Sequence, residues 1–163
     1  KAPASTGEKT RVKVEKGIKV LRVRTFPLKN IPVWIKGISN LLLPWHFKRA
    51  YRQYGQMADY DLIIIPTPPV TLAGLASELK KKYHARVYLI LRDIFPQNAV
   101  DLGFIRKGSI VYRFFRSTER KLYAIADRIG CMSDANVEYI TGNNPEISQT
   151  KVHVLENFQI PMG

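Results

Sequence analysis

A cation and a carboxylate stand side by side where an apolar run of the chain ends. Arg92 and Asp93 follow the run Val87 to Leu91 with no turn residue between them. A carboxylate in such a place can orient an attacking hydroxyl or accept its proton, and a guanidinium can hold a phosphate. A structural role fits equally well, in which Asp93 caps the helix expected near Gln97 and Arg92 is its ion-pair partner. The sequence leaves both roles open.

Three further residues follow other apolar runs and are candidates for ligand binding. They are Pro68, Ser133 and Asn157. We expect the Ser133 hydroxyl to cap the free amides of the helix that follows it, at an amino end that also favours a phosphate.

The elements that must position these residues alternate between apolar runs and helical patterns. We predict strands over 62–65, 87–91, 128–132 and 151–155 and helices over 70–83, 109–126 and 134–142, with Pro66 ending the first strand. Strands of this kind belong in a parallel sheet, so the fold class is α/β, a Rossmann-like open parallel sheet with helices on both faces. Because the carboxyl ends of parallel strands share one edge, the candidate residues should meet there.

A basic segment precedes the sheet. Residues 1–10 are expected to form a flexible lead-in, and the alternation over 11–23 predicts a β-hairpin. A connector with Pro27 and Pro32 follows the hairpin. The pattern of residues 33–54 then predicts an amphipathic helix, which Pro44 must kink or restart.

Aromatic and basic side chains interleave on this amphipathic helix. Rings settle at the depth of lipid headgroups while cations meet anionic lipid, so the helix fits a membrane surface; an ordinary helix packed on the domain is the alternative. The membrane-facing candidates are Trp34, Trp45, Lys48, Arg49 and Arg52.

An apolar face and a basic face oppose each other on the helix expected over 109–126. The apolar residues are Val111, Phe115, Leu122 and Ile125, and the basic ones are Arg113, Arg116 and Arg120. We expect the basic face to be solvated, with phosphate or lipid contact as the alternative.

Positive charge is concentrated in the first third of the chain. The formal net charge is +13, and residues 1–54 contribute +11 of it, with thirteen Lys and Arg against Glu8 and Glu15. This asymmetry indicates an anionic partner, which could be a phosphate-bearing ligand, an anionic membrane surface or nucleic acid.

Composition excludes several other classes of protein. With 45% hydrophobic and 24% charged residues the chain is neither disordered nor collagen-like, and no apolar stretch reaches the ~18 residues of a membrane span. Cys131 is the single cysteine and the three histidines lie far apart, so we expect no disulfide, no metal site and a reducing compartment. A length of 163 residues predicts one domain over 1–163.

Five segments, taken in order, carry a family resemblance. They are DLIIIPTPP (61–69), LILRDIFP (89–96), ERKLYAIAD (119–127), RIGCMS (128–133) and VLEN (154–157). Together they resemble the amino-terminal, acceptor-side domain of family 4 retaining glycosyltransferases with the GT-B fold, and are most similar to bacterial surface-polysaccharide enzymes of the WbuB type. The resemblance covers about residues 10–160. Phe95 and Gln97 replace the Trp and Glu of the family pattern.

Two parts of that family pattern are expected to be missing. These are the first β-α-β unit, with its glycine-rich turn, and the carboxyl-terminal domain that holds most of the nucleotide-sugar donor. The chain opens on Lys1, so we expect a truncated domain that is inactive alone.

The resemblance implies an enzyme that transfers a sugar from a nucleotide donor to a membrane-linked, polyprenyl-diphosphate-bound glycan. It implies Asp93 as the catalytic residue, and Arg92, Pro68, Ser133 and Asn157 as acceptor- or phosphate-binding residues. Expected partners are the nucleotide sugar, the lipid-linked glycan and an anionic membrane, with no metal, no other cofactor and no nucleic acid. The expected location is the inner face of the cytoplasmic membrane. The alternative is a non-catalytic basic α/β module that binds nucleic acid or an anionic membrane.

Overall fold

The alternating basic and apolar residues near the amino end form the predicted hairpin. The computed structural model describes residues 9–26, 33–55 and 59–156, except for the side chains of 33–38. In it β1 (Arg11–Glu15) pairs antiparallel with β2 (Ile18–Arg22). Both turn residues, Lys16 and Gly17, have positive φ angles of 50° and 80°, which is the backbone that a two-residue hairpin turn requires. Most of the expected lead-in, residues 1–8, lies outside the described residues.

One long helix completes the first of two compact units, residues 1–59. This helix, α1 (Val33–Tyr54), runs through Pro44 without interruption, so the expected restart is not observed. A proline removes one amide donor, and 22 residues supply enough other hydrogen bonds to continue the helix past it. The connector prolines, Pro27 and Pro32, lie outside the described residues.

The apolar residues that make α1 amphipathic are exposed rather than packed. Leu41, Leu42 and Trp45 are all exposed, while Leu43 and Ala50 are buried. The Arg49 guanidinium lies 5.6 Å from the centre of the Trp45 ring, in a cation–π arrangement. The helix therefore presents rings and cations together on its exposed side.

The second compact unit, residues 60–163, contains the parallel sheet. Its strands are β3 (Leu62–Thr67), β4 (Arg86–Leu91), β5 (Arg128–Cys131) and β6 (Val152–Val154), in that order and all parallel. The predicted Rossmann-like α/β class is confirmed. The expected stop at Pro66 is wrong, because β3 is the outer strand of the described sheet, where a missing amide donor is tolerated.

Helices connect the strands. They are α2 (Ala73–Tyr83), which follows a 3₁₀ turn over Val70–Leu72, α3 (Gln97–Asp101), α4 (Ile110–Ile125) and α5 (Asp134–Asn143). A second 3₁₀ turn, Gln149–Lys151, leads into β6. These helices pack on the sheet and enclose one apolar core, whose most buried members are Val87, Leu89, Leu91, Leu122, Tyr123, Ile129, Cys131 and Ile140.

The other face of the sheet has a polar contact at its centre and exposed apolar residues at its β3 edge. The Tyr88 hydroxyl and His153 Nε2 lie 2.8 Å apart in a hydrogen bond, and Gly130 lies beneath them. A Cβ at Gly130 would come within 2.7 Å of the Tyr88 hydroxyl, so this close approach needs glycine. On β3, Leu62 and Ile64 are more than half exposed.

One carboxylate ties α2 and the end of α4 to the sheet. Asp127 Oδ2 accepts hydrogen bonds from Lys80 Nζ and from the Val87 amide, each at 2.7 Å, and Lys80 also donates to the Ile125 carbonyl at 2.8 Å. Burial acts against ionisation of Asp127, but the Lys80 and Val87 hydrogen bonds outweigh it, so the pKa of Asp127 lies below its ordinary value.

Replacing Asp127 by Asn should lower the free energy of unfolding by about 1 kcal/mol at neutral pH, because the partly exposed Lys80 ammonium loses its charged acceptor. A carboxylate whose folded pKa is lowered stabilises the fold above its unfolded pKa. That contribution disappears as the pH falls below the ordinary value of 3.8. Urea unfolding at neutral and acidic pH should therefore show the two proteins converging in acid.

A matched control for this experiment is Glu138→Gln, which removes an exposed carboxylate that has no hydrogen bond or ion pair among residues 59–156. It should change the free energy of unfolding by less than about 0.5 kcal/mol. An Asp127→Asn difference that is the same at both pH values would contradict the assigned role.

Candidate functional site

The carboxyl ends of the strands form the edge that carries the candidate residues. Thr67 of β3 pairs with Leu91 of β4, and Leu91 pairs with Cys131 of β5, so these three strands end on one line across the sheet. The residues that follow each strand therefore emerge at the same edge. They are Pro68 after β3, Arg92 and Asp93 after β4, and Ser133 after β5. Asn157 lies outside the described residues.

Arg92 and Asp93 are both exposed and unengaged. Neither forms a hydrogen bond or an ion pair with any other residue of the described ranges 9–26, 33–55 and 59–156. The helix α3 has Pro96 as its N-cap residue and no side-chain capping bond, so the interpretation of Asp93 as its cap is wrong. Gln97 instead donates to Asp101 at 2.7 Å within α3. Asp93 thus presents a carboxylate to solvent at the carboxyl end of a buried strand.

Ser133 and Pro68 flank this pair on the neighbouring strands. The Ser133 hydroxyl accepts a hydrogen bond from the Asn136 amide at 3.3 Å, so the predicted cap of α5 is confirmed. Pro68 is exposed and follows Thr67, whose hydroxyl donates to the Ile90 carbonyl at 3.4 Å. A ligand at this edge would meet the amino end of α5 beside Ser133 and the cation of Arg92.

Glu119, which was not among the candidate residues, is a carboxylate buried in α4. Glu119 is 3% exposed, and its Oε2 lies 2.6 Å from Arg116 Nη1 in an ion pair one helical turn away. Its Oε1 accepts a hydrogen bond from the Tyr123 hydroxyl at 2.7 Å. Burial raises the pKa of Glu119 despite the opposing effects of Tyr123 and Arg116, and burial beside Glu119 likewise raises the pKa of Tyr123.

Arg116 joins α4 to the end of α5. Its second amino group donates to the Asn143 carbonyl at 2.9 Å and to Asn144 Oδ1 at 2.6 Å, and the buried Asn144 side chain donates to the Ile140 carbonyl at 2.7 Å. The prediction that Arg116 lies on a solvated face is therefore wrong, because the guanidinium turns toward Glu119 and α5. The i, i+3 and i, i+4 spacing of Arg116, Glu119 and Tyr123 was the signal available in the sequence.

The other residues predicted for the basic and apolar faces of α4 agree with the structure except at Val111. Arg113 and Arg120 are exposed as expected, and Arg120 forms an ion pair with Glu146 at 2.6 Å. Phe115 and Leu122 are buried, but Val111 is exposed, because the first turn of α4 extends beyond the core.

A small polar cavity lies between the segment after β4, α4 and the end of α5. Its volume is about 120 Å³, and its lining includes Ile94, Gln97, Lys107, Tyr112 and Arg116. Pockets for drug-sized ligands measure about 300–1,000 Å³, so this cavity is too small for a nucleotide sugar. We assign it to the structural contacts of Arg116.

Residues 9–26, 33–55 and 59–156 contain no group of three His, Cys, Asp or Glu side chains arranged to hold a metal ion. Among the helices described above, none combines the length and apolar character needed to cross a bilayer.

Comparison with known proteins relates this chain to the glycosyltransferases. A similar curated protein is the probable glycosyltransferase WbjE of Pseudomonas aeruginosa, which is 32% identical over 69 residues. The aligned part covers 42% of this chain and 17% of the length of WbjE. No protein-family model matches the chain. The similarity supports a glycosyltransferase relationship at the level of class.

Proposed function

We propose that this chain is part of the amino-terminal, acceptor-side domain of a family 4 GT-B glycosyltransferase of the WbuB type. The enzyme transfers a sugar from a nucleotide donor to a polyprenyl-diphosphate-linked glycan in bacterial surface-polysaccharide biosynthesis. The observation that carries the proposal is the exposed, unengaged Asp93 carboxylate at the carboxyl end of β4, in a chain related to a probable glycosyltransferase. The nucleotide sugar is a co-substrate, held mainly by a second domain.

In this proposal Asp93 acts on the acceptor. A new bond forms between the acceptor hydroxyl oxygen and the anomeric carbon of the sugar, while the bond to the nucleoside diphosphate breaks. Asp93 orients that hydroxyl or assists the departure of its proton, and an exposed carboxylate without a competing partner is suited to this task.

Arg92 and the amino end of α5 supply the positive charge proposed to hold the acceptor diphosphate. Arg92 is exposed beside Asp93 and is free to hold a phosphate oxygen through its guanidinium. Ser133 lies on the same edge, at the amino end of α5. Pro68 and Asn157 complete the proposed acceptor site.

The first compact unit supplies the proposed attachment to the inner face of the cytoplasmic membrane. Exposed Trp45 and the exposed Arg49 and Arg52 lie on α1, where Lys48 is half-buried, and residues 1–54 carry a net charge of +11. Interfacial rings together with cations favour an anionic lipid surface. The side chain of Trp34, the remaining candidate, is outside the described residues.

Incubating the complete protein with labelled nucleotide sugars and polyprenyl-diphosphate-linked glycans should test this function. We expect label to move from one nucleotide sugar into the organic-extractable lipid fraction. The competing function, a nucleic-acid-binding module, would instead give no transfer with any donor, and binding to DNA or RNA that falls linearly with salt on a log–log plot. That result would overturn the proposal.

A further inference from the structure

Large apolar side chains are concentrated on the surface between α3 and α4. Five such residues fall within positions 102–114 and are 49–86% exposed. We call them the α3–α4 patch, which consists of Leu102 (68%), Phe104 (62%), Ile110 (86%), Val111 (53%) and Phe114 (49%). Large exposed apolar side chains grouped in this way commonly mark a contact with a membrane or another protein.

The backbone holds this patch in place. The amides of Phe104 and Ile105 both donate to the Ala99 carbonyl, at 2.8 and 3.1 Å, and the Leu102 amide donates to Asn98 at 3.1 Å. Ile105 packs against the core of the unit. The loop is therefore anchored by one apolar side chain, while Leu102 and Phe104 remain outside.

Basic residues surround the apolar ones. Arg106 and Lys107 lie between Phe104 and α4, and Arg113 lies one helical turn after Ile110. All three are exposed, and none forms an ion pair with another residue in the described parts of the chain. An apolar surface bordered by unpaired cations is complementary to an anionic bilayer, where apolar groups insert and cations meet headgroups.

The patch lies at the same end of the sheet as Asp93. Because β4 ends at Leu91 and β5 begins at Arg128, the intervening α4 must run back from the carboxyl edge to the amino edge of the parallel sheet. Its first residues, Ile110 and Val111, are therefore at the carboxyl edge.

We propose that the α3–α4 patch inserts into the interface of an anionic membrane and holds the carboxyl edge of the sheet against it. This places a membrane contact on the unit that carries Asp93, in addition to the one proposed for α1. The inference deepens the proposed function, since a lipid-linked acceptor would reach this edge from the membrane. Vesicle binding needs no sugar donor, so the two proposals can fail separately.

The test compares binding of the full chain to vesicles of phosphatidylcholine and phosphatidylglycerol with binding to vesicles of phosphatidylcholine alone. The triple variant Leu102→Ser/Phe104→Ser/Ile110→Ser should bind the anionic vesicles at least about tenfold more weakly, since three apolar side chains no longer insert. The matched control is Leu62→Ser/Ile64→Ser, which removes exposed apolar side chains of β3, 51% and 56% exposed, and should bind like the wild type. Circular dichroism should show that all variants are folded.

A fluorescence measurement tests the same surface by gain of a signal. In the otherwise unchanged chain, a cysteine introduced by Ile110→Cys can be labelled with an environment-sensitive fluorophore, because Cys131 is buried, and the emission of this label should shift to the blue when anionic vesicles are added. Emission that does not shift, or wild-type vesicle binding by the triple variant, would overturn the proposal. So would a dimer in sedimentation velocity that the triple variant abolishes while vesicle binding persists, because the patch would then join two copies of the chain.

Discussion

Replacing Asp93 by Asn in the complete protein should lower kcat for sugar transfer by about 10²- to 10⁴-fold, the usual contribution of general acid–base assistance. Asn keeps the shape of the side chain but cannot take a proton. Asp93 has no hydrogen bond or ion pair within the described ranges, so the free energy of unfolding should change by less than about 0.5 kcal/mol. Steady-state kinetics with the lipid-linked acceptor and urea unfolding measure the two quantities.

The neighbouring Arg92 provides the contrast for this experiment. Arg92→Ala should raise the acceptor KM and largely spare kcat, because it removes a phosphate contact made equally in the ground state and the transition state. A folded Asp93→Asn protein with near wild-type kcat would show that Asp93 takes no part in the chemistry, and its catalytic assignment would be withdrawn.

The largest loss of stability is expected from Glu119→Ala, at about 3–5 kcal/mol, the range for removing one partner of a buried ion pair. The substitution leaves the Arg116 guanidinium without its counter-ion and the Tyr123 hydroxyl without its acceptor, at the point where α4 meets the end of α5. The loss is measured as the change in the free energy of urea unfolding at neutral pH.

An exposed pair on the same helix is the matched control for Glu119. Arg120 and Glu146 also lie 2.6 Å apart, but both are exposed, so Glu146→Ala should cost no more than about 1 kcal/mol. Equal losses for Glu119→Ala and Glu146→Ala would show that burial of the first pair has no energetic weight.

The conservative variant Glu119→Gln separates charge from hydrogen bonding. The folded pKa of Glu119 is raised above its ordinary value of 4.5. Protonated Glu119 therefore stabilises the fold at pH values below 4.5, and this contribution to the free energy of unfolding is lost as the pH rises through the folded pKa. The wild-type chain should therefore lose stability relative to Glu119→Gln as the pH rises above 4.5. The opposite slope would contradict the assigned direction of the pKa shift.

The main elements of this fold could be predicted from local patterns alone. The apolar runs that became β4 and β5 have neighbours on both sides in the sheet, and the alternation around Lys16 and Gly17 fits a two-residue turn. The ends of the strands were harder to predict. Proline has no amide hydrogen, so whether Pro66 ends β3 depends on whether a neighbouring strand requires a hydrogen bond from that position. The position of a strand in a sheet is a property of the tertiary structure.

The side-chain network of α4 could be predicted less well. The i, i+3 spacing of Arg116 and Glu119 is visible in the sequence, but the groups that fix Arg116 come from Asn143 and Asn144 in another element. Val111 has the periodicity of a core residue and is exposed, because periodicity gives the face of a helix and not how far the core extends along it. At the candidate site, strand order placed Arg92 and Asp93 at one edge, but only the structure shows that α3 is capped without Asp93.

Cys131 gives this chain a chemical probe of its own unfolding. It is the single cysteine of the sequence, it is fully buried at the end of β5, and burial raises the pKa of its thiol to about 11. Alkylating and disulfide-forming reagents attack the thiolate, so the native protein keeps this sulfur both protonated and inaccessible. The rate of thiol labelling in unmodified protein therefore reports how often the packing of α4 and α5 over β5 opens, at one position and without a dye.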